Sequence, residues 1–151
     1  VVKLLIDANA DVNLTDNWGK TALIWASQRG HQTVVKKLLE NGADVNATNN
    51  YGKTALMFAA TREMKCFIIE CLKELKESRE NIKELLKTHI HTNLVNTIDK
   101  YLYPEVSVSN VELQEVYDLL DKHKDTKNNK YTNCIDNIKI LYPEIEESQK
   151  K

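Results

Sequence analysis

The sequence predicts an all-α chain: a solenoid of stacked helical repeats in its first half, then a helical region built on a different pattern. Two recurrences carry the first part. Asp11-Val12-Asn13 returns as Asp44-Val45-Asn46, and Gly19-Lys20-Thr21-Ala22-Leu23 returns as Gly52-Lys53-Thr54-Ala55-Leu56, each 33 residues later. A fixed period in this range marks one supersecondary unit stacked on copies of itself. The second part rests on apolar residues that keep helical spacing beyond Ser78 after the repeat has stopped.

Bulk properties narrow the function classes. The chain has 151 residues and a net charge of −1, with Lys+Arg 21 against Asp+Glu 22, so no polyanion-binding surface is indicated. No apolar run is long enough to span a bilayer, and no secretory signal pattern is present. The opening Val1-Val2-Lys3-Leu4-Leu5 falls within a helix-like pattern, as expected of a fragment of a longer protein. Cys66, Cys71 and Cys134 lack CxxC spacing. They are expected to be small buried or half-buried residues of an intracellular, reducing compartment.

In chain order, Val1, Val2, Leu5 and Ile6 share one helical face and match Val34, Val35, Leu38 and Leu39 one period later. The chain therefore opens on the second helix of a partial unit, 1–15. A complete unit, 16–48, follows. Its turn is Asn17-Trp18-Gly19-Lys20, and Thr21 is placed to cap a short helix through Ala22, Leu23, Trp25 and Ala26. Gly30-His31 breaks that helix before a second one, Gln32 to Glu40. Asn9 and Gly42 occupy equivalent helix ends and suit the left-handed conformation.

A divergent terminal unit, 49–75, starts alike. Glu63-Met64 then replaces Gly-His, and Phe67, Ile68, Cys71, Leu72 and Leu75 continue as a longer helix. Residues 78–151 form a helical cap or module. Ile82, Leu85, Leu86 and Ile90 lead it, Leu94 to Leu102 follow, and Tyr103-Pro104 stops that run. Ser109-Asn110-Val111-Glu112 is a capping box opening a helix, Asp121 to Asn133 reads as an exposed loop, and a last helix through Ile135, Ile138 and Leu141 ends at Tyr142-Pro143.

The repeated residues resemble the ankyrin repeat, most fully in Asp16 to Thr48. Asp16, Gly19, Thr21, Leu23, Ala26, Gly30, His31, Val34, Val35, Leu38, Leu39 and Gly42 to Ala47 fit its pattern, and the resemblance extends over residues 1 to about 75. The family's Thr-Pro-Leu-His reads Thr21-Ala22-Leu23-Ile24 and Thr54-Ala55-Leu56-Met57 here. Loss of that His should weaken the hydrogen bonding that ties neighbouring loops. His31 matches the family's Gly-His position, whose ring hydrogen-bonds within the repeat.

No catalytic constellation is evident. His89 and His91 suit no common helical metal pair, His123 lies in a charged segment, and no Gly-rich phosphate loop exists. Glu70, Glu74, Glu77 and Glu80 alternate with Lys73, Lys76 and Lys83 as a solvated face. The expectation is no enzyme, no cofactor and no metal. The resemblance implies a monomeric module binding a protein partner, with no nucleic acid or membrane, through loop tips and the exposed faces of the first helices. By position these are Asn17, Trp18, Lys20, Gln28 and Arg29, then Asn50, Tyr51, Lys53, Thr61 and Arg62. Exposed aromatics and arginines are enriched at interface hot spots. The alternative for Trp18 and Tyr51 is packing on their own loops.

Asn13 and Asn46 each follow Asp-Val, eight residues after a leucine. They resemble the site modified by the asparaginyl hydroxylase that acts on animal ankyrin repeats. The alternative is an asparagine bonding the loop backbone. The overall layout is similar to ankyrin-containing adaptors or effectors of intracellular bacteria and poxviruses. In that rival reading the C-terminal helices are a separate functional module. Some of those proteins end in an F-box-like segment, but Leu102-Tyr103-Pro104-Glu105-Val106 lacks a second apolar helix in phase.

Overall fold

The computed structural model describes residues 2–87, 109–122 and 131–145. Seven helices lie among them: α1 (Val2–Asp7), α2 (Ala22–Arg29), α3 (Gln32–Glu40), α4 (Ala55–Phe58), α5 (Arg62–Lys87), α6 (Asn110–Asp121) and α7 (Thr132–Leu141). The expected helices around Ile90 to Leu102, the Leu102–Val106 segment, His89, His91 and His123 fall outside the described residues.

Each short first helix begins where a threonine hydroxyl relieves an orphan backbone N–H. Thr21 Oγ1 accepts from Ile24 N at 3.3 Å, and Thr54 Oγ1 from Met57 N at 3.4 Å. Gly30 ends α2 in the left-handed region at φ 76°, and Asn9 adopts φ 59° where Gly42 stands at 83°. The loops are built alike: Asp16 N–H donates to Lys20 O at 3.0 Å, and Asn49 N–H to Lys53 O at the same distance.

Stacking is layered. α2 packs on α3 within one unit and on α4 in the next, while α3 packs on α5. Leu23, Ile24, Val35, Leu38, Leu56, Ile68, Ile69 and Leu72 are buried between the layers. Burial of each such side chain contributes roughly 1.5–3 kcal/mol. Ala26 and Ser27, both small and buried, let the helices approach closely.

The third unit departs from its predecessor as its sequence does. α4 is only four residues long. Where the earlier copy has Gly30, this one has Glu63, so no left-handed stop separates the helices. Thr61 instead caps α5, its Oγ1 accepting from Met64 N at 3.1 Å. Lys65 Nζ reaches back 2.7 Å to the carbonyl of Leu56, satisfying the end of α4. α5 then runs unbroken for 26 residues. It crosses residues 75–78, where the change of sequence pattern suggests a boundary between units.

α6 opens on its capping box, with Ser109 Oγ accepting from Glu112 N at 3.3 Å and donating to Glu112 Oε2 at 3.2 Å. α7 begins at Thr132 and so takes in the last two residues of the stretch expected to be loop. The two helices pack on each other, and α7 packs on α5. α6 faces α4: Thr54 Oγ1 donates to Glu112 Oε1, and Leu56, Met57 and Lys65 line one cleft with Glu112, Val116 and Leu119. The hairpin therefore stands where a further repeat would stack, α6 over the last first helix and α7 over the last second helix. One apolar core runs from Leu23 through Ile69 and Leu113 to Ile138 and Ile145.

Candidate functional site: an aromatic and cationic groove

Asp16 knots the loop of the complete unit. Its Oδ1 accepts from the N–H groups of Trp18 and Lys20, each at 2.9 Å, and its Oδ2 accepts from the Trp25 indole at 2.8 Å. Partial desolvation pushes the Asp16 carboxyl up, but these three donors and the Lys20 charge outweigh it and hold the group below its ordinary range. One period later Asn49 accepts from Tyr51 and Lys53 N–H at 3.0 Å each. Phe58 there replaces Trp25 and offers no indole donor, so an amide oxygen suffices where the earlier loop uses both carboxylate oxygens.

The knots aim their loops at a shared groove of about 450 Å³, lined by Trp18, Lys20, Trp25, Asn49, Tyr51, Lys53 and Phe58. Trp18 and Tyr51 form its rims and are 59% and 77% exposed, so they do not pack away on their own loops. Lys20 Nζ lies 4.1 Å from the Trp25 ring centroid and 4.9 Å from that of Phe58, and donates to Gln28 Oε1 at 2.9 Å. The Arg29 guanidinium sits 5.4 Å from the Trp25 centroid. Such contacts hold cations against rings with roughly 0.5–2 kcal/mol each.

Of the residues expected at a binding surface, Trp18, Lys20, Gln28 and Arg29 thus gather around Trp25, and Tyr51 and Lys53 face them. Asn17 and Asn50 belong to the seam between loops: Asn50 Nδ2 donates to Asn17 O at 3.2 Å, and Asn50 N to Trp18 O at 3.0 Å. Thr61 and Arg62 depart from expectation. They begin α5 rather than extending the exposed face of α4, because that helix stops at Phe58. His31 also departs: it stands exposed at the N-cap of α3 without a side-chain cap hydrogen bond.

Trp25 and Phe58, absent from the residues expected at a binding surface, form the groove floor. Their 33-residue recurrence, in step with Trp18 and Tyr51, is the signal that could have found them. The lost family His costs the seam little. Ile24 is fully buried in its place, and Asn13 ties the loops by accepting from Asp44 N at 2.7 Å and donating to Gly42 O at 3.2 Å. Gly19 makes the seam possible: at φ 73°, a Cβ there would meet Asn50 Oδ1 at 2.5 Å.

Paired helices joined by knotted loops and stacked at a constant period define a helical-repeat solenoid. The family model for ankyrin repeats, in three copies, matches residues 1–94, so the chain belongs to the ankyrin-repeat family. The match reaches beyond the resemblance to residue 75, through the rest of α5 and past its end. No curated protein sequence matches the chain as a relative.

Proposed function

We propose that this chain is a non-catalytic protein-interaction module whose concave groove takes an extended segment of a protein partner. The segment would carry a carboxylate next to an apolar side chain. Ankyrin repeats are generally protein-interaction modules. The observation that carries the finer reading is the pairing of the exposed aromatic rims, Trp18 and Tyr51, with two groove lysines. Lys20 and Lys53 line the groove and form no salt bridge among the described residues, and the nearby Asp16 carboxylate is turned to its own loop and the Trp25 indole. An apolar side chain would lie between Trp18 and Tyr51, and its neighbouring carboxylate would meet the two ammonium groups.

The shared core of α5, α6 and α7 favours this reading over an adaptor whose C-terminal helices act separately. Three free thiols fit a reducing, intracellular setting. The test is selection from a random peptide library on the full chain. Enriched peptides should share an acidic residue beside an aromatic or aliphatic one. Trp18→Ala with Arg29→Ala, or Lys20→Gln with Lys53→Gln, should weaken them by about 30-fold or more. Enriched peptides without an acidic residue, or affinities untouched by both double variants, would refute it.

A further inference from the structure

Cys66 lies in the second turn of α5 and is half-buried, whereas Cys134, in the first turn of α7, is buried at 4% exposure. The packing of α7 on α5 sets the two thiols beside each other across the interface. The contact is not isolated. One turn earlier on both helices, Tyr131 Oη donates to Glu63 Oε1 at 3.0 Å across a sequence separation of 68, the same offset that relates Cys66 to Cys134. The helices therefore advance side by side in the same direction, with these two pairs in register. Cys71, by contrast, is buried farther along α5, among Lys36, Glu74 and Glu40.

We propose that Cys66 and Cys134 are a disulfide-forming pair that staples the C-terminal hairpin to the last repeat when the protein meets a hydroperoxide. Their exposures divide the roles. The reachable Cys66 sulfur attacks a peroxide oxygen: an S–O bond forms, the O–O bond breaks, and the departing oxygen takes up the thiol proton and leaves as water from hydrogen peroxide or as an alcohol from an organic hydroperoxide. Cys134 sulfur then attacks the Cys66 sulfenic acid, forming the S–S bond, and the hydroxyl leaves as water with the Cys134 proton. Two thiols lose two electrons and one peroxide gains them. A monothiol such as glutathione reverses the link by thiol–disulfide exchange.

Hydrogen bonding supports this division. The S–H donated by Cys134 pulls the Cys66 thiol down, against an opposing push from burial. The same bond and burial hold the Cys134 thiol up. Burial, above all, pushes Cys71 up to about 11, which leaves it out of the chemistry.

The test oxidises the reduced full chain with a small excess of hydrogen peroxide, blocks remaining thiols after unfolding, and maps non-reduced peptides by mass. Expected are one intramolecular Cys66–Cys134 link, a free Cys71, and an unfolding midpoint raised by on the order of 5–10 °C that returns when glutathione is added. Cys71→Ser should leave the link intact, and Cys134→Ser should stop at a dimedone-trapped Cys66 sulfenic acid. A link involving Cys71, links only between molecules, or progression of Cys66 to sulfinic acid in the unmutated chain would overturn the proposal. The Cys71→Ser and unmutated chains keep the outcome readable should Cys134→Ser fold poorly.

Discussion

The stack has an inner interface, between the complete unit and its successor, and an outer one, between that successor and the α6–α7 hairpin. Both are built from the same two helical layers. The inner interface adds a seam of loop hydrogen bonds, Asn13 to Gly42 and Asp44, and Asn50 to Asn17 and Trp18. Among the described residues, the outer one has side-chain contacts in place of that seam: Thr54 to Glu112, Glu63 to Tyr131, and Cys66 beside Cys134. Helix packing therefore carries stacking in this protein. The loops set register and build the groove, and a non-ankyrin hairpin can close the stack without them.

The largest expected effect comes from the residue that serves both interfaces. Leu56 is 2% exposed, packs in the core and lines the cleft under α6. Leu56→Ala should cost about 2–5 kcal/mol by denaturant unfolding, the loss of transfer energy plus a cavity. Smaller and confined to the outer interface is Glu112→Ala. It removes the cap partner of Ser109 and strands the buried Thr54 hydroxyl, so a loss of about 1–3 kcal/mol is expected in the same measurement.

Gly19→Ala probes the inner seam alone. Its left-handed φ costs an alanine roughly 1–2 kcal/mol, and the approach of Asn50 adds to that. Gly42→Ala has a similar φ but nothing within 4 Å of its Cβ, so it should lose less. Equal losses would show that the seam contributes nothing. The smallest effect is a pH dependence. The Asp16 carboxyl is held below its unfolded value of 3.8, so its contribution is complete above that value and is lost as pH falls through the folded one. Asp16→Asn should flatten the acid limb of stability and change Trp25 emission at neutral pH, because the indole loses its charged acceptor.

The legible part of the molecule was the part with local chemistry. Threonine caps, glycine and asparagine helix ends and the Ser109–Glu112 box each act within a few residues, and each stands where the sequence puts it. Trp25 and Phe58 were hidden because helical periodicity identifies an apolar face but not which layer that face meets. Thr61 was misplaced because carrying positions over by a fixed period assumes equal helices, and the loss of the glycine stop shortened α4. The Cys66–Cys134 and Thr54–Glu112 contacts depend on how the hairpin seats. No local signal encodes that, because the contacts join residues roughly sixty positions or more apart.

Both tryptophans, Trp18 and Trp25, lie in the complete unit, so their emission reports the far end of the stack from α7. Ile138 is fully buried in α7, within the continuous core. The most direct measurement is the unfolding of Ile138→Ala followed by tryptophan emission and by far-ultraviolet circular dichroism. A single cooperative stack predicts that both midpoints fall together. A tryptophan transition that stays at its unmutated position while helicity is lost earlier would contradict it, and would make the hairpin a separate module.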